Sequence, residues 1–515
     1  MTKENVLTLS DLVKQSAAEY GEKAFMQEKS GSNITELSFK DFYENAKRVN
    51  AFLKAFSSEK LHAAVIGPTS SAYLECYFGT VMGGNVIVPL DAQLPCPDIC
   101  ELLVRSDSSV FFFDSRYAPM IDAIRNNCGN IKKFVSLQSC EAADIALPDI
   151  LAAFKPDESG APKPVELASI VYTSGTTGKA KGVMLTHGNL IDNAMCRENE
   201  SSPADVLLTV LPVHHVYCFT CDILLSLRYG ATVCVNDSML RIAQNLKLFR
   251  PTLILLVPMI VETIYKQIMA AAGAKKDIPA AAIAQAVFGG RLKGIYSGGA
   301  YLSPELIKGY NALGIPIAQG YGMTECSPRI STATLADEFS EAVGTIVNGC
   351  EVKIVEGEIT VKSPSVMKGY YKDEAATAEA LTPDGWLRTG DLGYVDEKNR
   401  VFITGRKKNL IILSNGENVS PEELENKFAM EDKVKEVLVY AEEGVITAEI
   451  FPNSDAFPGA SDKDIAASMR ELINKINENL PSAKTIRRIR LRKTEFDKTT
   501  SKKIRRNQTE QGEAI

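Results

Sequence analysis

Within VYTSGTTGKAKGV, residues 171 to 183, hydroxyl side chains and glycines are followed by two lysines. Glycine lets backbone approach a ligand closely, and amide N–H, hydroxyl and ammonium groups suit phosphate oxygens. A Walker-type loop needs GxxxxGK followed by Ser or Thr at a helix start. Here Gly175 and Gly178 lie too close together and Ala180 follows Lys179, so that reading fails on spacing. Composition leaves a plain surface loop open; position directly after the apolar run ASIVY favours a binding loop. A second group of cations crowds into TIRRIRLRKTEFDKTTSKKIRRN, which reads either as a solvated basic face or as a site for polyanionic substrates. Cys218 and Cys221 form a CxxC with no second pair at zinc spacing, and read as small core residues.

The elements that must carry these groups follow from hydrophobic period. Residues 8 to 56 read as helix-like patterns around a polar break, EKSGSN. HAAVIGPTS, GNVIVPLDA, SSVFFFDS and IKKFVSL are short β-rich runs separated by helix-length segments. That spacing predicts βαβ units and parallel sheet, continuing through ASIVYTSG, DVLLTVLPV, ATVCVN, PTLILLVP, GIYSGG and PIAQGYG. From about residue 342 the runs CEVKIVEGEITVKS and GWLRTGDLGYVDEKNRVFITGR turn on Gly and Asp, as antiparallel strands do. Beyond Arg406 come a helix from SPEELENKFAM, strands EVLVYAEE and VITAEIFP, and a helix around 462 to 479.

A chain of 515 residues exceeds one ordinary core, so more than one domain is expected. Its 45% hydrophobic and 23% charged residues fit a soluble globular protein, and a net charge of −7 argues against binding nucleic acid through bulk charge. No run approaches the roughly eighteen apolar residues of a spanning helix, and MTKENVLTLSDLVKQS lacks a signal peptide's apolar core. The eleven scattered cysteines then read as reduced thiols of a cytoplasmic protein.

Further motifs stand in order along the chain: LPVHHVY (211–217), SGGAYLSPE (297–305), QGYGMTE (319–325), GWLRTGDLG (385–393), GRKKNLI (405–411) and NGENVSPEELE (415–425). Together with YTSGTTGKAKGVMLTHGNL they make the sequence resemble the adenylate-forming superfamily of acyl-CoA synthetases, luciferases and peptide-synthetase adenylation domains. The similarity runs from near residue 8 to near 507. It implies an α/β fold: a large N-terminal domain, 1–404, of parallel αβα sheets plus a small β-barrel-like subdomain. A small mobile α+β domain, 405–515, would follow, with the cut at 405–410.

The resemblance also implies chemistry. Members join a carboxylic acid to AMP, release pyrophosphate, and pass the acyl group to a thiol. A carboxylate oxygen is a poor leaving group, whereas AMP leaves readily, so the protein must neutralise a triphosphate while holding two anions together. Thr173, Ser174, Gly175, Thr176, Thr177, Gly178 and Lys179 would wrap the β- and γ-phosphates. Glu325 would bind Mg²⁺, with Thr173 adding to its shell, because a hard cation wants oxygen ligands. Thr324 would meet the α-phosphate. Tyr321 would stack on adenine within the Gln319, Gly320 and Gly322 motif, and Gly298, Gly299 and Ala300 would let the ring lie against backbone. Asp391 would accept from both ribose hydroxyls, and Arg406 would reach the same ribose. Taken singly, Glu325 reads as a helix-start acid, Asp391 as a turn residue and Tyr321 as core.

By the same resemblance His215 lies beside the acyl site, with His214 a packed or surface neighbour and His187 structural. Lys408 is the hinge residue, and Gly416 comes to the acyl site for the thioester step. The closing motif FDKTTSKKIRRN puts the adenylation lysine at Lys503, but Asp497 stands where proline is usual and Lys502 where glycine is usual, so Lys502 competes. LPVHHVYCFTCDILLSL lacks the Phe-Asp-x-Ser of amino-acid-activating members, and Ile412 stands where luciferases and coumarate ligases carry lysine. The expected substrate is a fatty or related linear acid, and the expected cofactors are ATP, Mg²⁺ and coenzyme A. A carrier-protein phosphopantetheine is the rival acceptor, peripheral membrane association stays open, and a non-catalytic relative that binds nucleotide or acyl groups is the rival class.

Overall fold

The computed structural model describes residues 1, 5–31, 33–173, 179–196, 201–274, 277–413, 417–498, 504–506, 509 and 512–515. Two compact units result. The larger comprises Met1–Leu302, Ile307–Val352 and Val361–Arg388, and the smaller Ser303–Leu306, Lys353–Thr360 and Thr389–Ile515.

Two largely parallel sheets make up the larger unit. One has His62–Ile66 at its centre, flanked in parallel by Val86–Leu90 and Ser108–Phe113, with Leu167–Thr173 added beside Val86–Leu90. These strands are buried almost throughout, the pattern of a parallel sheet covered on both faces. The other runs in parallel from Ala24–Ser30 through Thr232–Val235, Val206–Thr209, Leu253–Leu256 and Gly294–Gly298 to Ile317–Gly322. Helix-length segments between strands supply the crossovers that parallel pairing demands.

One expectation fails. The EKSGSN break does not separate two helices. It joins Ala24–Ser30 to Asn33–Ser38 in an antiparallel hairpin, with Gly31 left-handed in the turn. Helical period in this stretch gives way because Ala24–Ser30 completes the sheet beside Thr232–Val235. Helices Leu9–Tyr20 and Phe39–Phe56 flank the hairpin as expected.

The strands expected to form a barrel-like part pair as one four-stranded sheet, ordered Glu351–Val355, Glu358–Lys362, Leu387–Val395, Val401–Arg406. Beyond it, Val434–Glu442 and Val445–Pro452 form an antiparallel pair extended by Arg488–Leu491. Helix Asp462–Asn477 buries Met469, Leu472 and Ile473 in one core with Ile446, Ala448 and Ile450. Among the described residues no helix is long and apolar enough to cross a membrane.

Candidate active site

In open α/β sheets ligands gather outside the carboxyl ends of the strands. Four of the sequence motifs stand at such ends: the loop after Leu167–Thr173, LPVHHVY after Val206–Thr209, SGGA at Gly294–Gly298 and QGYGMTE along Ile317–Gly322. Thr173 and Lys181 close the first loop as register partners, and Thr173 Oγ1 donates to the Lys181 carbonyl at 3.5 Å. Ser174, Gly175, Thr176, Thr177 and Gly178 lie outside the described residues. Lys179 is exposed beside them. Arg105 steadies the loop's far side, its guanidinium donating to the Ala180 carbonyl at 2.8 Å. Thr186 then caps helix His187–Met195, accepting from the Asn189 N–H at 3.1 Å. His187 is fully buried and accepts from the Leu9 N–H, and burial lowers its imidazole to about 4. It packs as a neutral ring.

Gly298 and Gly320 are register partners, and a Cβ on Gly298 would meet Tyr217 Oη at 2.9 Å and the Gly320 carbonyl at 3.0 Å. Gly299 is left-handed at φ +83°. Gly298 is thus buried in close packing, whereas Gly299 and Ala300 are exposed and open bare backbone to solvent at Gly299. Gln319 turns aside to the Ala342 carbonyl, and Tyr321 is buried. Gly322 permits a tight return, since a Cβ would stand 1.9 Å from the Pro328 carbonyl oxygen.

That return places Thr324–Cys326 in one turn of 3₁₀ helix. Glu325 is 9% exposed, and Tyr370 Oη donates to its Oε1 at 2.8 Å. Burial and the adjacent carboxylate push the Tyr370 phenol well up, so it remains a donor. Lys181 sits 4.9 Å above the Tyr370 ring. Behind the turn, Asn193 Nδ2 donates to the carbonyls of Cys326 and Arg329 at 2.9 and 3.0 Å. Arg329 returns N–H bonds to Asn193, Thr220 donates to the Ser327 carbonyl, and Ser327 Oγ to the Ser365 carbonyl. The buried Glu325 carboxylate thus stands on a hydrogen-bonded frame, which a second buried acid, Asp192, joins by accepting from Ser365 Oγ at 2.6 Å. Among the described residues no cluster of three or more metal-ligating side chains occurs. One acid with few protein companions suits a magnesium ion that draws its remaining oxygens from phosphates and water.

His215 is exposed at the start of the short helix Val216–Cys218, while His214 is buried 4.2 Å away, ring to ring. Burial and then His215 lower the His214 imidazole to about 3. The helix widens to π geometry over Phe219–Leu224, a form common at functional sites. Fully buried Asp222 lies inside it, its carboxyl pushed up by burial to about 7, with the Cys218 thiol donating to Oδ2 at 3.5 Å. Burial raises both CxxC thiols, Cys221 to about 12, which leaves them unreactive.

In the smaller unit Asp391 and Arg406 are register partners, with Arg406 Nε 2.8 Å from Asp391 Oδ1. Glu358, which sequence reasoning passed over, accepts from the Gly390 N–H at 3.0 Å and the Lys407 ammonium at 2.8 Å. Lys408 occupies the following turn, and partial burial with the charges of Arg406 and Arg506 lowers its ammonium. Gly416, Lys502 and Lys503 lie outside the described residues. The segment holding both lysines is flanked by a bridge between Lys498 and Ile504. In the described part of the basic stretch Arg488 and Arg490 pair with Glu442, Arg492 with Glu449, Lys498 with Glu436 and Glu495, and Arg506 with Glu422 and Glu425, while Arg487, Lys493 and Arg505 are exposed.

A buried, framed acid and glycine-bearing strand ends of a parallel sheet suit an α/β protein that handles nucleotides. The chain belongs to the AMP-binding enzyme family, whose model matches residues 13–371, and a model of the AMP-binding enzyme C-terminal domain matches 408–512. It is 36% identical over 313 residues to long chain acyl-CoA synthetase 7, peroxisomal, of Arabidopsis thaliana, covering 52% of this chain and 45% of that one. Indoleacetate–CoA ligase of Aromatoleum aromaticum is 30% identical over 427 residues, 78% of this chain and 80% of the relative. An anthranilate CoA ligase solved with anthranoyl-AMP shares the fold at a TM-score of 0.82 and 20% identity, over 97% of this chain and 96% of that one. The chain spans about half the length of the plant and mouse long-chain relatives it matches.

Proposed function

We propose that this protein activates a fatty or related linear carboxylic acid with ATP, releasing pyrophosphate, and transfers the acyl group from acyl-AMP to the thiol of coenzyme A. One observation carries the reading: a buried carboxylate, Glu325, is fixed by Tyr370 in the turn that follows the glycine-bearing strand Ile317–Gly322. Bound there, Mg²⁺ would neutralise the triphosphate. Thr173 and the loop to Lys179 would hold the β- and γ-phosphates, Thr324 the α-phosphate, Tyr321 and Gly298–Ala300 the adenine, and Asp391 with Arg406 the ribose. His215 would orient the carboxylate. Lys503, with Lys502 as competitor, would offset the charge that develops at the α-phosphate. Lys408 would serve as hinge in a cut at 405–410, and Gly416 would serve thioester formation.

The acyl class rests on two supports. Relatives named for long-chain acids stand among the matches. Asp222, sealed in the π turn, is not offered to a substrate ammonium, which disfavours amino acids. Eleven free thiols suit a reducing compartment, and we assign the cytoplasm. ATP–pyrophosphate exchange across acetate to palmitate, aromatic acids and amino acids tests the reading. Exchange with medium or long linear acids is the expected outcome. Exchange confined to aromatic or amino acids would overturn the acyl class, and ATP binding without exchange would favour a non-catalytic relative. Thioester assays with coenzyme A and with a phosphopantetheinylated carrier then decide the acceptor.

A further inference from the structure

Glu358 is 5% exposed, yet it makes no contact of its own with Asp391 or Arg406 among its hydrogen bonds given above. Instead each of its oxygens takes the residue adjoining one of them: Oε1 the N–H of Gly390, Oε2 the ammonium of Lys407. Asp391 and Arg406 face each other across the antiparallel pair Leu387–Val395 and Val401–Arg406, so a single carboxylate ties both sides of that ion pair. Gly390 is left-handed at φ +71° and donates its N–H to Glu358. Thr389 Oγ1 meanwhile donates to the Ile359 carbonyl at 2.7 Å and accepts from the Asp391 N–H at 3.0 Å. The strand that carries Glu358 thus grips both residues preceding Asp391. Asp391 itself is 3% exposed, so small shifts decide how much of its carboxylate a ligand can reach.

We propose that Glu358 is a positioning residue for ribose recognition: by holding Gly390 and Lys407 it fixes the Asp391–Arg406 pair at the spacing that lets Asp391 discriminate a ribose from a deoxyribose. The proposal rests on the reading that Asp391 binds the ribose. Glu358→Gln keeps an acceptor for Gly390 and sets an amide against the Lys407 ammonium, releasing one side of the tie. A lost charge-assisted hydrogen bond corresponds to about tenfold or more. The KM for ATP in pyrophosphate exchange should rise about tenfold in this variant while that for 2′-deoxy-ATP stays nearly constant, which erodes the preference for ATP. Lys407→Met, at a half-exposed position, should erode it in the same way, and the double variant should lose no more than either single one. A purely structural role would raise both KM values together, and that result would overturn the proposal. Asp391→Asn separates the two levels. If it abolishes the preference and Glu358→Gln does not, the positioning role alone falls. If Asp391→Asn leaves the preference intact, the ribose reading falls and takes the positioning role with it.

Discussion

Tyr370 decides how Glu325 can act, because the phenol is the donor that orients a carboxylate otherwise enclosed by protein. Hydrogen bonds to charged groups are worth about 1.5–3 kcal/mol. Tyr370→Phe should therefore weaken apparent Mg²⁺ affinity by about tenfold or more, read by titrating Mg²⁺ at fixed ATP in the exchange assay. An unchanged titration would show that the phenol contributes nothing to cation binding. Asp222 makes a different prediction. Its carboxyl is raised by burial from 3.8 to about 7. The folded state therefore favours the protonated acid. Stability from this proton is fully present below the unfolded value near 4 and is lost as pH rises through about 7. Asp222→Asn removes that loss, so relative to wild type it should gain on the order of 2 kcal/mol between pH 5 and pH 8 in urea unfolding. An equal difference at both pH values would mean that Asp222 does not titrate across this window.

Helix His187–Met195 is the element that ties strand Lys181–Thr186 to the Glu325 turn, through Asn193 at its C-terminal end. Asn193→Ala leaves the buried Cys326 and Arg329 carbonyls and the Arg329 guanidinium short of partners, at a cost of about 2–4 kcal/mol in stability. Exchange activity per folded molecule should fall as well, because the turn beneath Glu325 loosens; equilibrium unfolding and exchange on the same sample check both, and a full loss of stability with intact specific activity would make Asn193 purely structural. The parallel strands were legible because each is a short apolar β-rich run between helix-length segments. Ala24–Ser38 was not, since its strand character comes from pairing with Thr232–Val235, far along the chain. Site residues divide the same way. Motif positions such as Glu325 and Asp391 could be read from spacing and resemblance, whereas their supports could not: Asn193 meets Arg329 across 136 positions and Glu358 meets Lys407 across 49. Nothing in EGEITV distinguishes Glu358 from a surface acid until the fold buries it.

For the whole molecule, the proposed function joins two half-reactions that ask opposite things of the same acyl group. Adenylation must stabilise charge gathering on the α-phosphate, which calls for a cation; thioester formation must release AMP and admit a thiol. A lysine that serves the first step has no task in the second. The two candidates differ in register with the closing motif: Lys503, directly before Ile504, falls where the motif's lysine stands, and Lys502 where glycine is usual. Lys503→Ala should lower ATP–pyrophosphate exchange by about a hundredfold or more, yet leave the conversion of supplied acyl-AMP and coenzyme A to thioester within about threefold. Lys502→Ala should leave both half-reactions within about threefold. Reversed roles would move the adenylation cation to Lys502. Equal loss of both half-reactions in Lys503→Ala would mean that the closing segment supports the structure of the smaller unit rather than one chemical step.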